Sequence, residues 1–90
     1  MQASAQNAVT ELIVLTTKSR LCDMLKPSLE GRITLNNPPQ DLRVIYDGIA
    51  SLRQIASQPD TDPKTKKLAM EGVECGDSVY YMLYHKYITR

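Results

Sequence analysis

The chain contains no tryptophan, no phenylalanine and a single histidine. Without those rings it is poorly equipped for base stacking, and one imidazole leaves little for acid–base catalysis. Net charge is nearly absent as well: eleven Lys plus Arg face ten Asp plus Glu, a formal balance of +1. No global field therefore draws the chain toward nucleic acid or an anionic membrane, and either would have to be met through a local patch. Cysteine is scarce, with Cys22 and Cys75 alone. Their number and wide spacing match neither a disulfide framework nor a paired C-x-x-C zinc motif, so a reducing, cytoplasmic setting is the default expectation. No apolar run approaches a bilayer span. The N-terminal stretch lacks a basic start, and Glu11 reduces its apolar run to residues 12–15, which makes a poor signal peptide.

What is present describes one small core. Ninety residues with 42% hydrophobic and 23% charged side chains are too few for two domains and too apolar for a disordered tail. Prolines at 27, 38, 39, 59 and 63 leave three intervals, each long enough for a helix. The first helix is expected over about 4–26, because Pro27 biases Lys26 away from helical geometry. Asn37 followed by two prolines reads as an N-cap with proline in the first turn, and Gln40 and Asp41 add acceptors there, so a second helix spans about 38–57. Asp62-Pro63 repeats that signal and opens a third helix, about 63–89. Gly31 argues against continuous helix in the 27–37 linker, whose Leu29, Ile33 and Leu35 are expected to dock over the end of the bundle.

Periodicity supports the second and third helices more strongly than the first. Leu42, Ile45, Ile49, Leu52 and Ala56 recur at alternating spacings of three and four, which places them on one stripe. Ala69, Val73, Gly76, Tyr80, Leu83 and Tyr87 do the same in the third helix, with Leu68, Gly72, Cys75, Val79 and Met82 as a parallel row. Residues 9–16 are rich in β-branched side chains and compatible with a strand, but context favours helix, with Ala5, Ala8, Leu12, Leu15 and Cys22 as its inward face. The expected fold is all-α: an antiparallel three-helix bundle, up-down-up, with an irregular linker between helices one and two. In that bundle Cys22 ends helix one while Cys75 lies near the middle of helix three, roughly 15 Å away along the axis, which excludes a bridge between them.

Four of the five tyrosines fall in the last eleven residues. Tyr80 and Tyr87 turn toward the core, whereas Met70, Tyr81, Tyr84 and Ile88 form a second stripe roughly 80–100° away, broken by Asp77. Two neighbouring helices do not readily cover so much apolar surface. Two uses for the stripe stand open: cover by Leu29, Ile33 and Leu35 of the linker, or contact with a partner, for which tyrosine and methionine are well suited. Gly72 and Gly76, costing about 1 kcal/mol each relative to alanine in a helix, read as a close helix-packing site or, alternatively, as a kink with a restart at Asp77-Ser78. Gly48 is a further candidate for close packing.

Other chemistry has little to stand on. His85 is placed on the polar side of helix three, and a Cys22–His85 nucleophile would lack an orienting carboxylate and an oxyanion hole. Lys64, Lys66 and Lys67 open helix three against its dipole and, with Arg43 or Arg53 as further cations, define the alternative reading as a nucleic-acid-binding regulator. No metal-ligand cluster, phosphate loop or cofactor motif is found, so no cofactor and no metal are expected. The expected function is a non-enzymatic protein-binding module, acting as adaptor, chaperone or inhibitor, whose partner is another protein or a second copy. Met70, Tyr81, Tyr84 and Ile88 are its candidate contact residues, with Gly72 and Gly76 for helix packing.

Overall fold

The computed structural model, which describes residues 2–89 and the side-chain surroundings of 8–89, contains α1 (Gln2–Asp23), a short α2 (Leu25–Leu29), α3 (Pro38–Ser57) and α4 (Pro63–Tyr87). The three long helices form a three-helix bundle, as the periodicity predicts. Proline and capping set the starts. The Asn37 side chain accepts from the Gln40 N–H, Asp41 accepts in return from the Asn37 N–H, and the Asp62 carboxylate accepts from the Thr65 N–H. Each group satisfies a donor that the first helical turn would otherwise leave orphaned.

The first helix ends one turn earlier than Pro27 predicts. Met24 closes a tight turn onto the Leu21 carbonyl, and Pro27 lies inside α2 instead of terminating α1. Proline fits there because it occupies the first turn of α2, where no intrahelical acceptor awaits its missing N–H. Gly31 then stops α2 with a φ of 69°. The N–H groups of Gly31 and Arg32 return to the carbonyls of Ser28 and Pro27, a Schellman closure that a glycine makes without steric cost.

Four aliphatic side chains of α3, Leu42, Ile45, Ile49 and Leu52, meet Ala69, Val73, Val79 and Leu83 of α4 in the buried core. Their pairing is antiparallel: Ile49 lies on Gly76 and Leu52 on Gly72. α1 runs parallel to α4, with Lys18 beside Gly72, Leu21 beside Gly76, and Thr17 against Gly48 of α3. α4 is continuous through both of its central glycines, so the kinked alternative is set aside. A Cβ on Gly72 would come within 2.5 Å of Leu52 Cδ1 and 3.2 Å of the Lys18 Cα, and one on Gly76 within 2.5 Å of Ile49 Cγ1. The close approach is made inside the bundle.

Two expectations about α1 fail. Leu12 and Leu15 are exposed, and α1 faces the core with Val14 and Leu21 instead; Ala5 lies outside the residues whose side chains are described. The reason is that α1 carries apolar residues all round, so spacing alone does not select a face. Cys22 and Cys75 are disulfide-bonded, with Cα atoms 5.0 Å apart, contrary to the predicted separation. That prediction set the ends of the helices level. In the structure α1 is slid along α4 so that its C-terminus stops level with the α4 midpoint, and Thr10 lies beside the α3–α4 connection at Gln58 and Asp60. A slip of about ten residues at 1.5 Å each closes the roughly 15 Å that aligned helix ends would leave.

Candidate functional site: an aromatic groove between α3 and α4

The slide of α1 leaves the C-terminal half of α4 without a long helix on that side. The linker takes part of the space. The Tyr87 hydroxyl donates to the Ile33 carbonyl and accepts from the Leu35 N–H, while the Lys86 ammonium donates to the carbonyls of Gly31 and Ile33. These contacts fasten the linker over the end of the inward stripe of α4, at Tyr87. Leu29 stays exposed. Covering of the second stripe by the linker therefore does not extend to Tyr81, which is 65% exposed, and Met70, Tyr84 and Ile88 are exposed too.

The structure brings some of these residues together and separates others. Tyr80 stacks on Tyr84 with ring centroids 5.8 Å apart, and His85 lies 4.3 Å from the Tyr81 ring and 6.3 Å from that of Tyr84. Helical spacing accounts for the Tyr80–Tyr84 and Tyr81–His85 pairs, since positions four apart share a face. Met70 belongs to the same stripe but precedes Tyr81 by roughly 16 Å of helix. Ile88 caps the last turn of α4, its N–H bonded to the Tyr84 carbonyl.

One member escaped the sequence reading. Tyr46 of α3 lies across from Tyr80, with ring centroids 6.0 Å apart. Its signal was the row Tyr46, Ala50, Arg53, which runs beside the core stripe of α3 at helical spacing; only the antiparallel pairing shows that this row faces the tyrosines. Tyr46, Ile49, Ala50, Arg53, Asp77 and Tyr80 enclose a groove of about 290 Å³. It continues past Tyr80 to Tyr81 and Tyr84 as a shallower depression.

Charge enters this site as one exposed pair. Arg53 Nη2 donates to Asp77 Oδ2 at 2.6 Å, linking α3 to α4 on the groove rim. Asp77, read as a break in the stripe, thus supplies a partner for Arg53. The pairing also separates Arg53 from Lys66 and Lys67, which lie roughly 15 Å away along α4 counted from Asp77. Lys64 and Lys67 are exposed and Lys66 half-buried at the opposite end of that helix.

His85 is on the surface, as the helical wheel predicts, with its Nδ1 3.0 Å from Thr89 Oγ1. Cys22 has no thiol to offer it, because both cysteines are bridged. Among the described residues no cluster of His, Cys, Asp or Glu is arranged to hold a metal ion, and no helix is long and apolar enough to cross a membrane. The groove instead offers aromatic area, phenolic hydroxyls that donate or accept, and one ion pair, a combination suited to noncovalent recognition. Comparisons with protein-family models, with curated proteins and with solved structures find no match to this chain.

Proposed function

We propose that this chain is a non-enzymatic protein-binding module, an adaptor, chaperone or inhibitor, that engages its partner through the tyrosine groove between α3 and α4. One observation carries this reading: a continuous row of rings runs from Tyr46 through the half-buried Tyr80 to the exposed Tyr84, His85 and Tyr81. Interface anchors are commonly such residues, large, aromatic and polar at the tip. The exposed aliphatic side chains of α1, Val9, Leu12, Ile13 and Leu15, lack both aromatic area and a concave wall. They make a poorer anchor.

Self-association through the groove is the simplest version. The bridge removes the premise for a cytoplasmic setting, since disulfides persist mainly in oxidising compartments. An oxidising compartment is therefore included in the proposal.

The test is the double substitution Tyr81→Ser with Tyr84→Ser. Sedimentation across concentration reads self-association, and affinity capture from the native host reads a foreign partner. Loss of about ten-fold in affinity, with helical circular dichroism unchanged, is the expected result. Unfolding of the variant would make the rings part of the core and end the interface reading.

A further inference from the structure

α1 buries fewer side chains than its length suggests. Among the described residues it contributes Val14 and Leu21 to the buried core, where α3 and α4 contribute four side chains each. Opposite α1, α4 presents Gly72 and Gly76, which admit Lys18 and Leu21 closely but add no side-chain area of their own. Across the same seam Lys18 and Glu71 lie 3.8 Å apart and partly exposed, a pairing of small worth. α3 also rests on those glycines, through Leu52 and Ile49, but it adds four buried side chains of its own that meet Ala69, Val73, Val79 and Leu83 of α4.

The chain leaves α1 through the Met24 turn. Beyond that turn the linker is independently fastened to α4 by Lys86 and Tyr87. Met24 therefore lies between two separately held parts, and Cys22, two residues before it, is clamped to the middle of α4. Both bridged residues are half-buried.

We propose that the Cys22–Cys75 bridge is a reducible latch: a dithiol opens it and releases α1 from an α3–α4 pair that stays folded. A thiolate of the dithiol attacks one sulfur, the S–S bond breaks, and a mixed disulfide forms. The second thiol of the reductant then displaces the remaining protein sulfur and closes a cyclic disulfide. The protein gains two electrons and two protons as two Cys thiols, and the dithiol loses the same. Released α1 would expose Val14 and Leu21 along with its already open Val9, Leu12, Ile13 and Leu15, an apolar helix with no covered side. This inference stands independently of the tyrosine groove.

Hydrogen exchange resolved by peptide tests it on the full chain, comparing air-oxidised protein with the same protein in excess dithiothreitol and with the Cys22→Ser, Cys75→Ser double variant. Amides of residues 10–23 should exchange at least about ten-fold faster in both bridge-free forms, with α3 and α4 changed by less than about two-fold. Re-oxidation of the reduced wild type should restore protection. Three results overturn the latch: two free thiols in the oxidised protein, unchanged exchange in α1, or loss of protection in all three long helices together, which would make the bridge a staple of the whole fold.

Discussion

α1 and α3 are nearly equal in length, 22 and 20 residues, yet they join the bundle by different means. α3 concentrates its aliphatic side chains on one stripe and buries Leu42, Ile45, Ile49 and Leu52. α1 spreads comparable apolar content around its circumference, leaving Val9, Leu12, Ile13 and Leu15 exposed. The difference teaches that hydrophobic content does not attach a helix; its arrangement does. Where the arrangement is diffuse, the helix lies close against Gly72 and Gly76 and a covalent bridge clamps it there.

The same substitution on both helices gives the widest contrast. Leu52→Ala should cost about 3 kcal/mol, since the side chain is fully buried and its loss leaves a cavity. Leu12→Ala, on a residue 65% exposed, should fall within about 0.5 kcal/mol of wild type. Urea unfolding followed by circular dichroism measures both, and equal losses would erase the distinction between the helices.

The glycines sharpen it next. Adding a methyl group at a helical glycine gains up to about 1 kcal/mol in propensity but costs about 1–3 kcal/mol where the site is already filled. At Gly72 the new Cβ would press on a fully buried Leu52 and on the Lys18 backbone, so Gly72→Ala should destabilise by about 1–2 kcal/mol. At Gly48 it would meet Thr17 Cγ2 at an ordinary 3.5 Å, so Gly48→Ala should stabilise by about 0.5–1 kcal/mol. Opposite signs in paired thermal melts are the expected outcome, and a gain at Gly72 would mean that neither Leu52 of α3 nor Lys18 of α1 approaches there.

The narrowest contrast concerns the linker, where one hydroxyl is at stake. Tyr87→Phe keeps the ring but deletes the hydroxyl that bonds Ile33 and Leu35. A loss of about 1 kcal/mol, seen as a fall of about 4–8 °C in Tm, is expected. An unchanged Tm would show that ring packing alone seats the linker.

Legibility in the sequence tracked this contrast. The caps at Asn37 and Asp62 and the stripe of α3 were readable, because each is a local rule satisfied within a few residues; Gly31 marked a break in the linker, but the short α2 before it was not expected. The outward stripe of Tyr81 and Tyr84 was readable for the same reason. Tyr46 was not placed beside them, since its ring meets Tyr80 through the register of two antiparallel helices. The inward face of α1 was misread because several faces were equally apolar, and the bridge was missed because it depends on how far one helix slides along another.

The sequence by itself determined that the chain is helical, where α3 and α4 begin, and which residues of those two helices turn inward; backbone hydrogen bonding and a 3.6-residue repeat act over one or two turns and leave their marks in order along the chain. Tertiary structure alone decided the axial offset of α1, the pairing of Cys22 with Cys75 and the groove that joins Tyr46 to the C-terminal tyrosines. Those depend on how side chains from distant segments fill one shared volume, and no single segment carries that information.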